Sequence, residues 1–358
     1  PAGRGGERRR HTTKLSGQYG ERVTRDLDIV LFGATGFVGR LTAAYLAEHA
    51  PEGVRVGLAG RSQYRLEALR RQLPRAASDW PIVVADASEP ASLAALAERT
   101  KVVATTVGPY ARSGMPMVEA CAMAGTHYAD LTGEILFVRD SADAWHETAR
   151  DTGARIVHSC GFDSIPSDLG VLVTADAAAA AGDGELTRTV LSVTSFKGSA
   201  SGGTIDSMRQ QAMMARADST VRALLADPYA LSPDRAAEPS APKAELTELP
   251  VAGPLDRARR LIAGAGRRLP VQRDPETGHW TGPFVMASYN TRIVRRSNAL
   301  LGWRYGRAFR YREISDFGAG PAAQARAAAT SATLLGVVAG MSFEPTRMLL
   351  DRVLPKPG

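Results

Sequence analysis

Cysteine, long apolar runs and signal-type segments are scarce in this 358-residue chain, and each shortage excludes something. Two cysteines, Cys121 and Cys160, cannot build a disulfide framework and fit a reducing cytosol. Neither a Cys-x-x-Cys pair nor a His-Glu-x-x-His string occurs, so no metal site is expected. The longest late apolar run, Ala332 to Phe343, falls short of the roughly 20 residues a membrane span needs. The basic stretch Pro1 to Arg10 is followed by no apolar core, so it does not read as a secretory signal, and the non-Met start reads as trimmed. No helix-turn-helix, zinc-finger or RRM pattern accompanies the arginines, so nucleic acid is not expected as a partner. No internal repeat is visible.

What is present is globular. Hydrophobic residues make up 44% and charged residues 23%, which excludes wholesale disorder. The length exceeds the roughly 250–300 residues at which one core stops growing, so more than one domain is expected. The net charge of +7 is uneven: residues 1–27 carry +4 and residues 257–312 carry +11, the latter from thirteen arginines against Asp274 and Glu276. Such a basic segment can dock an acidic carrier protein or an anionic membrane surface, or it can be a solvated arginine-rich face. Leu255, Leu261, Ile262 and Leu269 lie among its first arginines, as in a peripheral membrane helix.

The hydrophobic pattern divides the chain. Residues 1–26 read as a disordered basic arm. From Asp28 to His158, short apolar strands alternate with helices: strands at 28–32, 54–59, 81–85, 101–106, 127–131 and 155–158, and helices through 49, 63–73, 91–98, 116–124 and 137–151. This is an α/β pattern of right-handed βαβ units forming a doubly wound parallel sheet. The boundaries expected are 27–165 for this domain, 166–320 for an α+β substrate domain, and 321–358 for a helical C-terminal segment. In the second domain, strands are expected at 186–196, 284–294 and 308–314, a helix at 204–226, and a long loop at 232–256.

One loop carries the clearest chemistry. Gly33, Ala34, Thr35, Gly36, Phe37, Val38 and Gly39 lie directly between the first strand and the first helix. Gly33 permits the turn, Gly36 lets backbone approach a pyrophosphate, and Gly39 lets helix and strand pack closely. Free amides of the helix start then face the phosphates. After the second strand comes Gly60-Arg61-Ser62, where an acidic residue would favour NAD. Arg61 offers a guanidinium and Ser62 a hydroxyl, so NADP(H) is the expected cofactor. Asp86 and Ala87 are placed for the adenine. Val107 and Gly108 are placed where the dinucleotide crosses toward nicotinamide. None of the nine tyrosines has Lys four residues on, so the Tyr-x-x-x-Lys chemistry of short-chain dehydrogenases is absent. Two clusters follow later strand ends, one running from Tyr128 through Asp130 and Thr132 to Glu134. The other includes Cys160, Asp163, Ser164, Pro166 and Asp168. Both should flank the nicotinamide, with Asp130 and Asp168 alternatively serving as helix caps.

Together GATGFVG, LAGRS, TTVGPY, YADLTGE and GFDSIPSDLG resemble the saccharopine dehydrogenase-like oxidoreductases. With SFKGSASGGTIDSM and NTRIVRRSNALLGW the chain is more closely similar to the actinobacterial trans-acting enoyl reductases. The resemblance runs from about Asp28 to the C-terminus. It implies a Rossmann domain with NADP(H) and a second substrate domain. It further implies reduction of a carbon–carbon double bond in a polyketide-derived lipid, of the phthiocerol or phenolphthiocerol type, and an acyl-thioester or lipid substrate. A cytoplasmic protein, peripheral on the inner face of the plasma membrane and homo-oligomeric, would fit. Relatives are expected to continue beyond Pro355-Lys-Pro-Gly358. For the proton donor or oxyanion donor, Tyr110, Tyr128, Glu134, Asp163 and Ser164 are the candidates, with Tyr110 foremost because it follows the fourth strand. A saccharopine-type imine or amino-acid dehydrogenase and a non-catalytic NADP-binding scaffold remain as rivals.

Overall fold

A computed structural model describes residues 25–195, 202–239 and 270–341 of the chain. The first half alternates as its sequence pattern requires: β1 (Leu27–Phe32), α1 (Phe37–His49), β2 (Val56–Gly60), α2 (Gln63–Arg70), β3 (Ile82–Val84), α3 (Pro90–Arg99), β4 (Thr100–Thr105), α4 (Tyr110–Ser113), α5 (Met115–Ala124), β5 (His127–Ala129), α6 (Ile135–Thr152) and β6 (Ile156–Val157). The six strands pair in parallel in the order β3-β2-β1-β4-β5-β6. The order reverses between β1 and β4, which opens a crevice at their carboxyl ends.

Side chains of one strand point alternately to opposite faces. In β1, Val30 and Phe32 join a core with α3, α5 and α6 residues such as Leu93, Val118 and Phe137. Leu31 joins the other core, with Ala43 and Ala47 of α1 and Leu66 of α2. Both faces of the sheet are therefore covered, which explains the continuous apolar runs of its strands. Arg25 and Asp26, expected in the disordered arm, are tied down: Arg25 donates to the Ala124 carbonyl at 2.7 Å, and Asp26 pairs with Arg99 at 2.6 Å. Residues 1–24 lie outside the described residues.

The second unit contains α7 (Ile165–Ala181), β7 (Arg188–Val193), α8 (Gly202–Ala217), α9 (Ser219–Ala226), β8 (Gln272–Arg273), β9 (Trp280–Pro283), α10 (Ala287–Leu300), β10 (Arg310–Asp316) and α11 (Pro321–Met341). Its sheet runs β7-β10-β9-β8, with β7 and β10 parallel and the other pairs antiparallel. The expected helix over 204–226 is broken at Asp218, whose carboxylate caps α9 by accepting from the Thr220 amide at 2.6 Å. The expected loop 232–256 is described only to 239.

One expectation fails outright. The segment 284–294, rich in aromatic and β-branched residues, is not a strand but leads into and forms much of helix α10. Its Tyr289 and Ile293 pack with α6 and α9, while Val294 packs with α7 and Tyr311. Between them Asn290, Thr291 and Arg292 are also buried. The segment's apolar residues recur at helical spacing, but the aromatic and β-branched Phe284, Tyr289, Thr291, Ile293 and Val294 read locally as a strand, and the contacts that favour the helix come from other elements.

The same helix changes the reading of the basic segment. Arg292 donates to the carbonyls of Asp227 and Leu225, at 3.1 and 3.0 Å. Arg295 reaches Pro228 O at 3.1 Å, and Arg296 reaches Leu231 O at 2.8 Å. These three arginines hold the carbonyl-rich end of α9 and the turn after it, where positive charge is favoured. They are therefore not a solvated docking face. Residues 257–269, the other half of that segment, lie outside the described residues. No described helix is long and apolar enough to cross a membrane.

Candidate functional site

At the crevice, Gly33 adopts φ +87°. A Cβ there would also lie 2.7 Å from Val107 Cγ2 and 2.9 Å from Thr106 Oγ1, so only glycine fits. The turn is pinned to the sheet: the amides of Gly33 and Ala34 donate to Ala59 O at 2.9 and 3.2 Å, and Thr106 N donates to Phe32 O at 2.9 Å. A Cβ on Gly39 would sit 2.2 Å from Gly33 O and 2.8 Å from Ala34 Cα, which is why α1 can pack against the turn only through glycine.

Gly36 differs. Its φ of −72° and ψ of 171° suit any residue, and an added Cβ would meet only Gly33 O, at 3.3 Å. Its missing side chain leaves room on the open side of the turn rather than relieving the fold. Helix α1 has no side-chain cap and no acid in its first turn, so its leading amides and positive dipole end are available to an anion. That is a cradle of the size and charge a diphosphate needs.

At the end of β2, Arg61 is exposed, and Ser62 caps α2 by accepting from Arg65 N at 3.3 Å. Its O–H remains able to donate. Asp86 stands across from Arg61. Its carboxylate accepts from Ser88 N and Ser88 Oγ at 2.9 and 2.8 Å, and these bonds, with the Arg61 charge, hold its pKa below the usual range. Ala87 packs beneath, against the sheet core. Phe37 is largely exposed at the start of α1, and Val38 follows it at the edge of the turn. Val107 and Gly108 follow β4, with Val107 N donating to Thr105 Oγ1 at 3.2 Å.

The candidates for proton transfer are sorted by their hydrogen bonds. Tyr110 is buried. Its hydroxyl donates to Thr105 O at 3.1 Å and accepts from Leu131 N at 3.4 Å, and burial raises its pKa far above the ordinary phenol value. Tyr128 is likewise buried, donates to Asp130 Oδ2 at 3.0 Å, and is pushed up by desolvation and then by the Asp130 charge. Glu134 is wholly enclosed and accepts from Tyr110 N at 2.9 Å, Ala111 N at 2.7 Å and Ser207 Oγ at 2.6 Å. All three side chains are engaged in hydrogen bonds inside the protein. Ser164 is also buried and donates to Asn290 Oδ1 at 2.9 Å, within a network that includes Ser167 and Glu313. It secures α7 to α10.

Asp163 stands apart. The residue is exposed, but its carboxyl folds over Gly161, where a Cβ would come within 2.4 Å of Oδ1. Desolvation in that fold raises its pKa. Cys160, also exposed, follows Ser159 on the same loop, with its thiol pKa raised by burial of the sulfur.

Two residues escaped the sequence reading. His158 places Nδ1 2.6 Å from Asp130 Oδ2 and Nε2 2.8 Å from Ser141 Oγ. Asp130 also accepts from the amides of Thr132 and Ser159, at 3.1 and 2.9 Å. It therefore clamps the ends of β5 and β6 together rather than capping a helix. Ser159 has φ +64°, and its hydroxyl bonds the buried Tyr289 hydroxyl. No local motif announces the contacts of His158 and Ser159 with Ser141, Asp130 and Tyr289, because these partners are 17 to 130 positions apart. No described group of three or more His, Cys, Asp or Glu is placed to hold a metal ion.

A turn open to a diphosphate, with a guanidinium at the next strand end, suits a phosphorylated pyridine dinucleotide, and the protein is an NADP(H)-dependent oxidoreductase of Rossmann architecture. Residues 29–157 match the saccharopine dehydrogenase NADP-binding domain. A trans-acting enoyl reductase of Mycobacterium tuberculosis is 49% identical over 339 residues, covering 93% of this chain and 77% of the relative. One from Mycobacterium ulcerans is 48% identical over 340 residues, with coverage of 93% and 77%. The chain belongs to this trans-acting enoyl reductase family. Among solved structures, saccharopine dehydrogenase from Saccharomyces cerevisiae is similar at 18% identity and TM-score 0.35, covering 46% of this chain and 34% of that one.

Proposed function

We propose that the protein reduces the α,β double bond of an enoyl thioester on a polyketide-derived lipid precursor of the phthiocerol or phenolphthiocerol type. Family membership at 49% identity across 93% of the chain is the observation that supports enoyl reduction. Bound NADPH supplies the hydride for the β-carbon. The chain supplies the rest. The glycine turn and the start of α1 hold the diphosphate, Arg61 and Ser62 select the 2′-phosphate, and Val107 and Gly108 line the crossing toward nicotinamide. A proton must also reach the α-carbon. Asp163 is the candidate for that step, because it is exposed, has no side-chain hydrogen-bond partner among the described residues, and keeps its proton to higher pH than an ordinary aspartate. Tyr110, Tyr128 and Glu134 hold the floor of the site in register.

A lipid substrate favours a cytoplasmic protein working at the inner membrane face, with the arginines of 257–268 supplying attraction to acidic headgroups or to an acidic carrier protein. A homo-oligomer and the domain boundaries at residues 165 and 320 belong to the same reading.

The test is NADPH consumption with an enoyl thioester against a keto acid plus amine. Turnover confined to the enoyl substrate is expected. Turnover confined to the imine-forming pair would replace the reading with a saccharopine-type dehydrogenase, and tight NADPH binding without either turnover would leave a scaffold.

A further inference from the structure

Glu134 stands at the start of α6 yet makes no cap bond to that helix. Its carboxylate turns instead to α4, which begins at Tyr110 and has no side-chain cap of its own. By accepting the amides of Tyr110 and Ala111 at 2.9 and 2.7 Å, Glu134 caps α4 from a different strand end. These two amides directly follow Gly108 and Pro109, the segment along which the dinucleotide crosses. A further bond comes from the second unit: Ser207 of α8 donates to the same carboxylate at 2.6 Å.

Four residues on, and so on the same face of α8, Gln211 repeats the contact. Its Oε1 accepts from Ile135 N at 3.2 Å and its Nε2 donates to Gly133 O at 3.4 Å. Helix α8 is thus seated on residues 133–135 by two polar side chains, with Glu134 between it and the cofactor loop. A fully enclosed carboxylate depends on every donor it has, and O–H···O⁻ bonds of this length are among the stronger ones. Displacing α8 removes a donor from Glu134, and displacing the 108–111 loop removes two.

We propose that Glu134 is a positioning residue that couples cofactor binding to the seating of α8. NADPH, by ordering the 108–111 loop, fixes Glu134, and Glu134 fixes α8 through Ser207. By reciprocity a substrate that seats α8 tightens NADPH by the same factor. The coupling rests on the oxidoreductase reading for its cofactor but needs no particular acyl substrate.

The experiment uses the full chain and NADPH alone as the probe. Hydrogen–deuterium exchange over 202–217 is followed with and without NADPH, alongside NADPH affinity by fluorescence, for the wild type, S207A, S207T and E134Q. NADPH is expected to slow exchange in α8 of the wild type. S207A is expected to abolish that slowing and raise the NADPH Kd by about 3- to 10-fold, and S207T to restore both. E134Q should loosen both sides together; S207A keeps the test decisive if E134Q fails to fold. With crotonyl-CoA as a model enoyl substrate, S207A should raise KM more than it lowers kcat. Intact NADPH binding with no slowing in the wild type, or slowing that survives S207A, overturns the coupling and leaves the oxidoreductase reading standing. Failure of the wild type to bind NADPH overturns both.

Discussion

Replacing Gly36 by alanine should separate folding from cofactor binding. The residue's φ of −72° and ψ of 171° are open to alanine, and the new methyl would meet only Gly33 O at 3.3 Å. Loss of glycine's freedom in the unfolded chain stabilises by about 0.4–1 kcal/mol, while alanine at a helix start costs a similar amount, so stability should stay within about 1 kcal/mol of the wild type. The methyl nevertheless projects into the space left open above the turn, where the diphosphate must come to backbone contact distance. Losing that approach should weaken NADPH by at least about 2 kcal/mol, or roughly 30-fold in Kd. Gly39→Ala is the contrast. Its Cβ would lie 2.2 Å from Gly33 O and 2.9 Å from Ala34 C, both backbone atoms that cannot step aside. That variant should lose about 1–3 kcal/mol or more of stability and bind nothing. Urea unfolding and fluorescence titration with NADPH read the two quantities independently. If G36A binds NADPH like the wild type, the diphosphate does not rest on this turn and the assignment of the cradle is wrong.

Further outcomes can be checked in the same preparation. R61A should lower the preference for NADPH over NADH by about 10- to 100-fold, measured as the ratio of kcat/KM, because one charged contact to the 2′-phosphate is removed. D163N should lower kcat by about 100-fold or more with NADPH affinity unchanged. Since a general acid must be protonated and the Asp163 pKa is raised by desolvation, wild-type kcat should fall as pH rises through that value, and the limb should vanish in D163N. R292M should destabilise the chain by about 3 kcal/mol in urea, since the carbonyls of Leu225 and Asp227 lose a charged donor, whereas a docking role would cost activity on carrier-bound substrate without affecting stability.

The cofactor half of this protein is written in local order. β1, the glycine turn and α1 occupy residues 27–49, and each glycine's duty follows from its place between a buried strand and a helix. Arg61 follows β2 and is exposed, the place the strand pattern gives it. Alternation of strand and helix sufficed for the parallel sheet, since both its faces are covered and its strands read as apolar runs.

Tertiary structure decided the rest. Tyr110, Tyr128 and Glu134 have the chemistry of acids and bases in sequence, and the fold encloses all three and gives each hydrogen-bond partners. Asp163 is left at the surface. Helix α10 was misread because its aromatic and β-branched residues favour a strand locally, while its packing against α6, α7 and α9 exists only in the fold. The arginines at 292, 295 and 296 looked like a charged surface until the end of α9 and the turn after it supplied the carbonyls they hold. For those arginines the deciding partner lies tens of residues away, and only the folded chain brings the two together.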